Sequence, residues 1–272
     1  MKTPPIRSCL IFVLAIAGTV RGADAGLPAS QPKMLNIIRE SVKVGRGADH
    51  ARHEAGWPAA YEKANSPDYY LALTSMTGPS EAWYLAPFES HAAIAAMMKR
   101  EEKDPVLAAE LGRLGEKDAE YLEGWRAVQT KARPDLSFGQ YPNIAKARFF
   151  EITILTVRPG KYALFESILK AYNAARQRVA PESSYRIYAA IAGTVGATYY
   201  IIQSVEDYAH FDRTGDEHRK TFAAATPEET ALFDKWGDAV VREETQRFRL
   251  DPKQSYVSKE ARASDPEFWN GK

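Results

Sequence analysis

Apolar and polar residues alternate in two segments of the chain, residues 37–47 and residues 151–161, and each segment then breaks at glycine. Alternation that stops at Gly or Pro-Gly predicts a β-strand that runs into a turn. The second segment is followed by apolar residues at the spacing of one helix face, namely Phe165, Ile168, Leu169 and Tyr172. The first is followed by a second helical pattern, in which Pro58 predicts a kink. Both segments are therefore predicted to be a strand followed by a helix.

Two further strand-like segments follow in each half of the chain, around a turn that contains glycine. In the first half they are residues 69–74 and 82–85, on either side of Gly78. In the second half they are residues 185–190 and 198–201, around the turn that begins at Gly193. Short strands joined by such a turn predict a β-hairpin, so each half contains one.

Each half then ends with a predicted helix and a predicted polar strand. The helical stretches carry Trp125 and Trp236, and the closing strands lie near residues 130–138 and 245–250. The order of elements in each half is therefore β-α-β-β-α-β, the split βαβ arrangement.

This repetition predicts an α+β protein that consists of two ferredoxin-like β-α-β-β-α-β units. We place the units at residues 33–143 and 147–258, followed by a polar C-terminal tail at residues 259–272. The tail is expected to be either loose or laid over the second unit. A unit of this kind has helices on one face of its sheet and an open second face, so two copies can pack their open faces into a barrel-like core. A chain that closes in this way is expected to be a monomer, and one that does not is expected to be a homodimer.

The segment from Phe150 to Lys161, with the aromatic helix after it, resembles the opening of NIPSNAP-type modules and, more broadly, of the dimeric α/β-barrel superfamily. Residues 199–202 and 205–208 resemble the third strand and second helix of that group. The resemblance implies a dimeric α/β-barrel-type arrangement within one chain. It does not select an activity, because the superfamily includes cofactor-free monooxygenases, haem enzymes such as chlorite dismutase-like proteins, and modules without known activity.

Residues 1–25 have the pattern of a secretory signal peptide, with Lys2 and Arg7 before an apolar run and small residues up to Ala25. We therefore expect an exported protein, periplasmic or extracellular, without stable membrane insertion. Cys9, the single cysteine, would leave with that segment, which excludes thiol catalysis in the mature chain. The chain has 36 Lys+Arg against 35 Asp+Glu, a balance that gives no general attraction to nucleic acid.

Charged residues on the predicted first strand of each half are the candidate catalytic groups. Glu40 and Glu151 are the candidate general bases, because a carboxylate buried between sheets without a partner shifts its pKa. Arg39 and Arg186 are candidate partners for an anionic ligand. The alternative is that both glutamates form structural ion pairs at the rim of the barrel.

Aromatic residues concentrate on the two predicted hairpins. We take Tyr70, Trp83, Tyr188 and Tyr199 as candidate ligand-binding residues, because aromatic side chains facing a cavity suit a flat or apolar ligand. The alternative is that they pack in the core, since sheets are enriched in aromatic residues.

Histidines are few, and they bear on metal and haem. His50 and His53 are three residues apart on the first helix, and with Glu54 they could share a metal; the alternative is two solvated side chains. His210, in the second half, is where a haem-binding relative could ligate iron. Without a further motif in support, we expect no metal and no cofactor, with haem as the alternative.

Three functions remain open from the sequence. The preferred one is binding of a small, partly apolar ligand between the two sheets, and an enzymatic activity is left undecided. The first alternative is an oxidoreductase of monooxygenase or haem type, and the second is a structural or partner-binding module. The chain has no P-loop, no H-E-x-x-H and no G-x-S-x-G motif. The sequence therefore gives no support for a P-loop nucleotide site, a zinc protease of the H-E-x-x-H type or an α/β-hydrolase.

Overall fold

The structure is a computed structural model that describes residues 27–270. The expected signal peptide, residues 1–25, therefore lies outside the described residues. The strands are β1 (Met34–Val42), β2 (Tyr70–Ser75), β3 (Glu81–Phe88), β4 (Leu122–Ala132), β5 (Phe149–Val157), β6 (Arg186–Ala192), β7 (Ala197–Val205) and β8 (Val240–Tyr256). The helices are α1 (Gly47–Glu54), α2 (Gly56–Lys63), α3 (His91–Lys103), α4 (Pro105–Asp118), α5 (Tyr162–Val179), α6 (His210–Ala223), α7 (Pro227–Phe233), α8 (Trp236–Ala239), α9 (Lys259–Ser264) and α10 (Pro266–Trp269). A 3₁₀ turn at Ile144–Lys146 precedes β5.

The eight strands form one closed, antiparallel barrel in the order β1-β3-β2-β8-β5-β7-β6-β4. The first four strands are neighbours in the order β4-β1-β3-β2, and the last four repeat that order as β8-β5-β7-β6. The pairs β2–β8 and β4–β6 join the two sets. The protein is therefore a mixed α+β protein whose barrel closes within one chain.

Every strand contributes to one buried apolar cluster, which therefore fills the barrel interior. Because side chains alternate between the two faces of a strand, residues two apart share the interior, as Leu35 and Ile37 do on β1. Trp83 and Phe248 are fully buried there, with ring centroids 4.9 Å apart. The opposite face of the strands carries the helices: on β5, Leu155 belongs to a second cluster together with Phe165 of α5.

Two local predictions are wrong. Trp125 lies in strand β4 rather than in a helix, because the helical segment α3–α4 ends at Asp118 and the strand starts earlier than its polar residues suggested. The first helix also breaks at Ala55, before Pro58. Pro58 lies in the first turn of α2, where a missing N–H costs no helical hydrogen bond, so it needs no kink.

The C-terminal residues are packed and do not form a loose tail. Trp269 of α10 is 5% exposed and belongs to the same cluster as the barrel interior. Arg148, just before β5, forms an ion pair with Asp265, and Arg262 forms one with Glu62 of α2. The segment formed by α9 and α10 therefore contacts both halves of the chain. Among residues 27–270, no helix has the length and apolar character needed to cross a membrane.

Candidate functional site

A cavity of about 620 Å³ opens at the end of the barrel where β1 and β5 finish and where β3, β7 and β8 begin. Its lining is mainly polar and charged, and it includes Arg39, Ser41, Glu81, Arg126, Ile154, Thr156, Thr198, Tyr200, Arg242 and Glu244. The volume lies in the range of small-molecule sites, about 300–1,000 Å³. The apolar interior cluster closes the barrel below it.

An ion pair and an indole ring form one wall of this cavity. Arg39 Nη2 lies 3.0 Å from both carboxylate oxygens of Glu81, and the guanidinium carbon lies 4.3 Å from the ring centroid of Trp83. Trp83 Nε1 donates to Glu81 Oε2 at 2.7 Å. Because these three residues lie on the paired strands β1 and β3, the register of the sheet itself holds them together.

The remaining charged groups leave the cavity with one arginine in excess. Arg242 pairs with Glu244 at 2.9 Å. Arg126 has no hydrogen-bond or ion-pair partner among residues 27–270, and it is exposed at the cavity wall. Burial raises the pKa of Tyr200, while Arg39 opposes the shift, so its hydroxyl stays protonated at neutral pH. The cavity can therefore offer a cation and a hydroxyl donor to an anionic ligand.

A second polar cluster lies on the outer face of the barrel, beneath α1. Glu40 of β1 accepts from His50 at 2.9 Å, and His50 Nε2 lies 3.8 Å from Glu54 Oε1. His53 Nε2 lies 2.7 Å from Asp118 Oδ1 and 3.1 Å from the carbonyl oxygen of Leu114. All of these side chains are buried or half-buried.

Glu54 is the shared member of this cluster. Its Oε2 accepts from the hydroxyl of Tyr84 at 2.8 Å, and its Oε1 has no hydrogen-bond partner. Burial, and then the nearby carboxylate of Glu40, raise the pKa of Glu54 to about 9. Two sets of potential metal-ligand atoms include it: Glu40, His50 and Glu54, and His53, Glu54 and Asp118. In each set the atoms lie within 4.8 Å of one another.

The structure places the two candidate glutamates outside the cavity. Glu40 faces α1, as described, and Glu151 accepts from Arg247 Nε at 2.8 Å beside Phe211 of α6. Among the charged residues of β1, it is Arg39 that faces the barrel interior. Both glutamates thus have side-chain partners, on the outer face of the barrel rather than at its rim.

The other candidate residues divide between the faces of the barrel. Trp83 lies directly below Arg39 in the interior, and Tyr188 is buried in the interior cluster away from the cavity. Arg186 donates to the carbonyl oxygens of Gly139 and Gln140 rather than to the cavity. Tyr70 and Tyr199 face the helices, where Tyr199 packs on Phe165 with ring centroids 4.7 Å apart. Of the candidates, the structure therefore places Arg39 in the cavity wall, with Trp83 against it.

Several cavity and cluster residues are missing from the sequence-based set. Arg126 is absent because the pattern predicts a helix for its segment, and Arg242 and Glu244 precede the predicted start of the last strand. Strand alternation from Trp125 onward would have identified Arg126. No sequence pattern points to Asp118 as a member of the cluster, because only the packing of α4 against α1 places it beside His53.

Comparisons with known proteins identify the fold. No protein-family model and no curated protein matches the chain. An anthrone oxidase-like protein superposes with a TM-score of 0.54 at 10% identity, covering 85% of this chain and 97% of that protein. A candidate monooxygenase from Lactobacillus acidophilus NCFM gives a TM-score of 0.50 at 10% identity, covering 84% and 100%. A mutant chlorite dismutase from Candidatus Nitrospira defluvii gives 0.51 at 8% identity, covering 82% and 94%.

These neighbours have dimeric α/β-barrel folds, in agreement with the broader resemblance. The narrower resemblance to NIPSNAP-type modules has no support from them, and neither has the expectation that the protein carries no cofactor. At 8–10% identity the likeness shows the fold alone. The chain therefore has the dimeric α/β-barrel fold, with both halves of the barrel in one polypeptide.

Proposed function

We propose that the protein binds a small organic anion in the cavity at the open end of the barrel. The observation that carries the proposal is Arg126, an arginine at the cavity wall without a partner among residues 27–270. The hydroxyl of Tyr200 adds a donor, and Ile154 and Val195 offer apolar surface to the rest of the ligand. A carboxylate or sulfonate attached to a small ring has this combination of properties.

Fluorescence titration with 1-anilinonaphthalene-8-sulfonate, a small aromatic anion, tests this function. An ionic hydrogen bond contributes about 1.5–3 kcal/mol, so Arg126→Gln is expected to weaken binding about tenfold or more. Arg249→Gln is the matched control, because Arg249 is an exposed arginine on the outer face of β8. Equal affinities for the wild type and both variants would place the probe elsewhere and refute the cavity assignment.

The second candidate is an oxidoreductase that acts on a ligand in the same cavity. The observation in its favour is the fold shared with an anthrone oxidase-like protein and a candidate monooxygenase. Oxygen uptake with dithranol, an anthrone, in the presence of a chelator tests the cofactor-free version. Uptake above that of heat-denatured protein, and reduced by Arg126→Gln, would support it; uptake at the level of the denatured protein would count against it.

A haem version of this candidate requires an available axial ligand. Among residues 27–270, no histidine lines the cavity. His210 Nδ1 lies 2.8 Å from Arg213 Nη2, and His218 Nδ1 lies 2.8 Å from the Tyr172 hydroxyl, with its ring against Phe222. The described residues therefore place no histidine where it could ligate a haem bound in this cavity. A haemin titration followed by absorption tests this, since a Soret shift that is lost in His210→Ala would overturn it.

The barrel is also the basis for proposing that the chain is a tandem of two ferredoxin-like units, residues 33–143 and 147–258. The support is the repeated strand order, β4-β1-β3-β2 and β8-β5-β7-β6. Co-expression of residues 27–143 with residues 147–272 tests it: two intact units should associate into one folded complex. Fragments that stay unfolded when mixed would contradict independent units.

Export remains a proposal that rests on the sequence pattern of residues 1–25. N-terminal sequencing of the protein from its source cells tests it. A chain that begins at Gly26 in the periplasm or medium would support export, and an intact Met1 inside the cell would refute it.

A further inference from the structure

We propose that Glu40, His50 and Glu54 bind a divalent first-row transition-metal ion between α1 and the outer face of β1. His53 and Asp118, on the other side of Glu54, provide the ligands for a second ion. This inference is independent of the proposed function, because Glu40 and Arg39 are adjacent residues that point to opposite faces of the same strand.

The first argument is the balance of charge in the cluster. Three carboxylates, from Glu40, Glu54 and Asp118, lie together with two imidazoles. Among residues 27–270, none of their ion pairs or side-chain hydrogen bonds involves a lysine or an arginine. Buried carboxylates are retained in proteins when they are paired or coordinate a metal. A divalent cation would supply the positive charge that the side chains lack.

The second argument is the unpartnered oxygen of Glu54. This residue is 2% exposed, and its Oε1 has no hydrogen-bond partner although it faces His50 Nε2. A buried carboxyl oxygen without a hydrogen-bond partner costs about 1–3 kcal/mol. The other oxygen is held by Tyr84, which fixes the direction in which Oε1 points. An ion bound by Oε1 would remove this penalty.

The third argument is geometry. Ligand atoms at about 2.0–2.2 Å from zinc in a tetrahedral site are roughly 3.3–3.6 Å apart. Glu40 Oε2 and His50 Nε2 are 2.9 Å apart, and His50 Nε2 and Glu54 Oε1 are 3.8 Å apart. Small side-chain rotations are therefore sufficient to form the site. The Tyr84 hydroxyl on Glu54 Oε2 acts as an outer partner that orients a ligand, as in known metal sites.

The donor set indicates the class of ion. Imidazole nitrogen together with carboxylate oxygen, and without sulfur, suits Zn²⁺, Mn²⁺, Fe²⁺ or Co²⁺. Three protein ligands leave coordination positions open for water or for a further ligand. Because Glu54 belongs to both sets of ligand atoms, two ions would be bridged by its carboxylate.

Metal analysis of the full chain, prepared without a polyhistidine tag, tests this inference. The protein is stripped with a chelator, dialysed against micromolar Zn²⁺, Mn²⁺ or Co²⁺ and analysed by mass spectrometry of the elements. Retention of one or two ions per chain is expected. Glu54→Gln and His50→Gln should lower the affinity at least about tenfold, the lower end of the effect of altering even an outer-shell partner.

His91→Gln is the matched control, because His91 is an exposed histidine on α3, outside the cluster. It should retain the wild-type metal content. A wild type that retains no ion, or ligand variants that bind as well as His91→Gln, would overturn the proposal and leave a proton shared among the carboxylates as the explanation of the cluster.

Circular dichroism shows whether each variant folds. If Glu54→Gln and His50→Gln do not fold, the wild type alone decides the question through its Co²⁺ spectrum. Visible Co²⁺ absorption bands that disappear when Zn²⁺ is added would support the site, and their absence would overturn it. Arg126→Gln should not change metal binding, so failure of the anion site and failure of the metal site are distinguishable.

Discussion

Arg39 and Glu81 form a nearly buried ion pair inside the barrel, in which one guanidinium nitrogen lies 3.0 Å from both carboxylate oxygens. The pair lies in the wall of the polar cavity at the open end of the barrel, and Trp83 lies against both residues. Glu81 therefore competes with any anionic ligand for the guanidinium of Arg39. A change in this ion pair is therefore expected to alter both the stability of the barrel and anion binding in the cavity.

Replacing Glu81 is expected to lower stability and to strengthen anion binding in the same variant. In Glu81→Gln, Arg39 loses its counter-charge. The free energy of unfolding should fall by about 2–3 kcal/mol. This is less than for a fully buried ion pair, because the Arg39 side chain is 15% exposed. The freed guanidinium is then available to 1-anilinonaphthalene-8-sulfonate. Urea unfolding and fluorescence titration measure the two effects.

Glu123→Gln is the control for this prediction, because Glu123 is an exposed glutamate on β4 and its loss changes the net charge of the chain by the same amount. It should change neither property appreciably. Weaker anion binding by Glu81→Gln would show that the carboxylate itself contacts the ligand.

Glu151→Gln is expected to leave anion binding unchanged while lowering the free energy of unfolding by about 1 kcal/mol. Glu151 is paired with Arg247 on the helix face of the barrel, and Arg247 is about one-third exposed, so the pair has the modest strength of a partly solvated ion pair. The same titration and urea experiments measure the result. A clear loss of binding or turnover would restore Glu151 as a general base.

Most strands could be predicted from the sequence, because period-two alternation and glycine turns are local properties. Closure of the barrel within one chain stayed one of two open alternatives, because it depends on pairing between distant strands. Ile37 and Trp83 lie in strands that the pattern identifies, and Phe165 lies on the predicted helix. The face of β1 that would be the interior could not be predicted. Arg39 and Glu40 alternate equally well, and only closure of the barrel places Arg39 inside.

The candidate sites were less predictable because they join distant parts of the chain. The cavity gathers side chains from six strands, including Arg126, Thr198 and Arg242. The cluster beneath α1 could be half predicted, since His50, His53 and Glu54 are close in sequence. Its remaining carboxylates, Glu40 and Asp118, come from β1 and the end of α4, and tertiary packing alone brings them to the helix.

Gly193 is expected to tolerate no side chain, because it lies where the β6–β7 turn passes close to β4. Its φ is +88°, and a Cβ there would be 2.1 Å from the carbonyl oxygen of Ala127. Gly193→Ala should lower the free energy of unfolding by about 2 kcal/mol or more, since strain of 1–3 kcal/mol is added to the clash. Gly112→Ala, in the exposed face of α4 with open space around it, should raise stability by about 0.5–1 kcal/mol. If both variants were destabilised by the same amount, the close contact at Gly193 would not be the cause.

Trp269 is expected to stabilise the barrel from the end of the chain. Its side chain belongs to the interior cluster and is buried, so Trp269→Ala should cost about 3 kcal/mol or more, the usual effect of deleting a buried aromatic ring. Trp269→Phe should cost much less, because it keeps most of the apolar surface and removes the indole N–H, which has no hydrogen-bond partner. Glu267→Ala, an exposed change in the same helix, is the control. Thermal unfolding of the three variants measures their relative stabilities. A Trp269→Ala variant as stable as the wild type would show that the C-terminal helices do not stabilise the barrel.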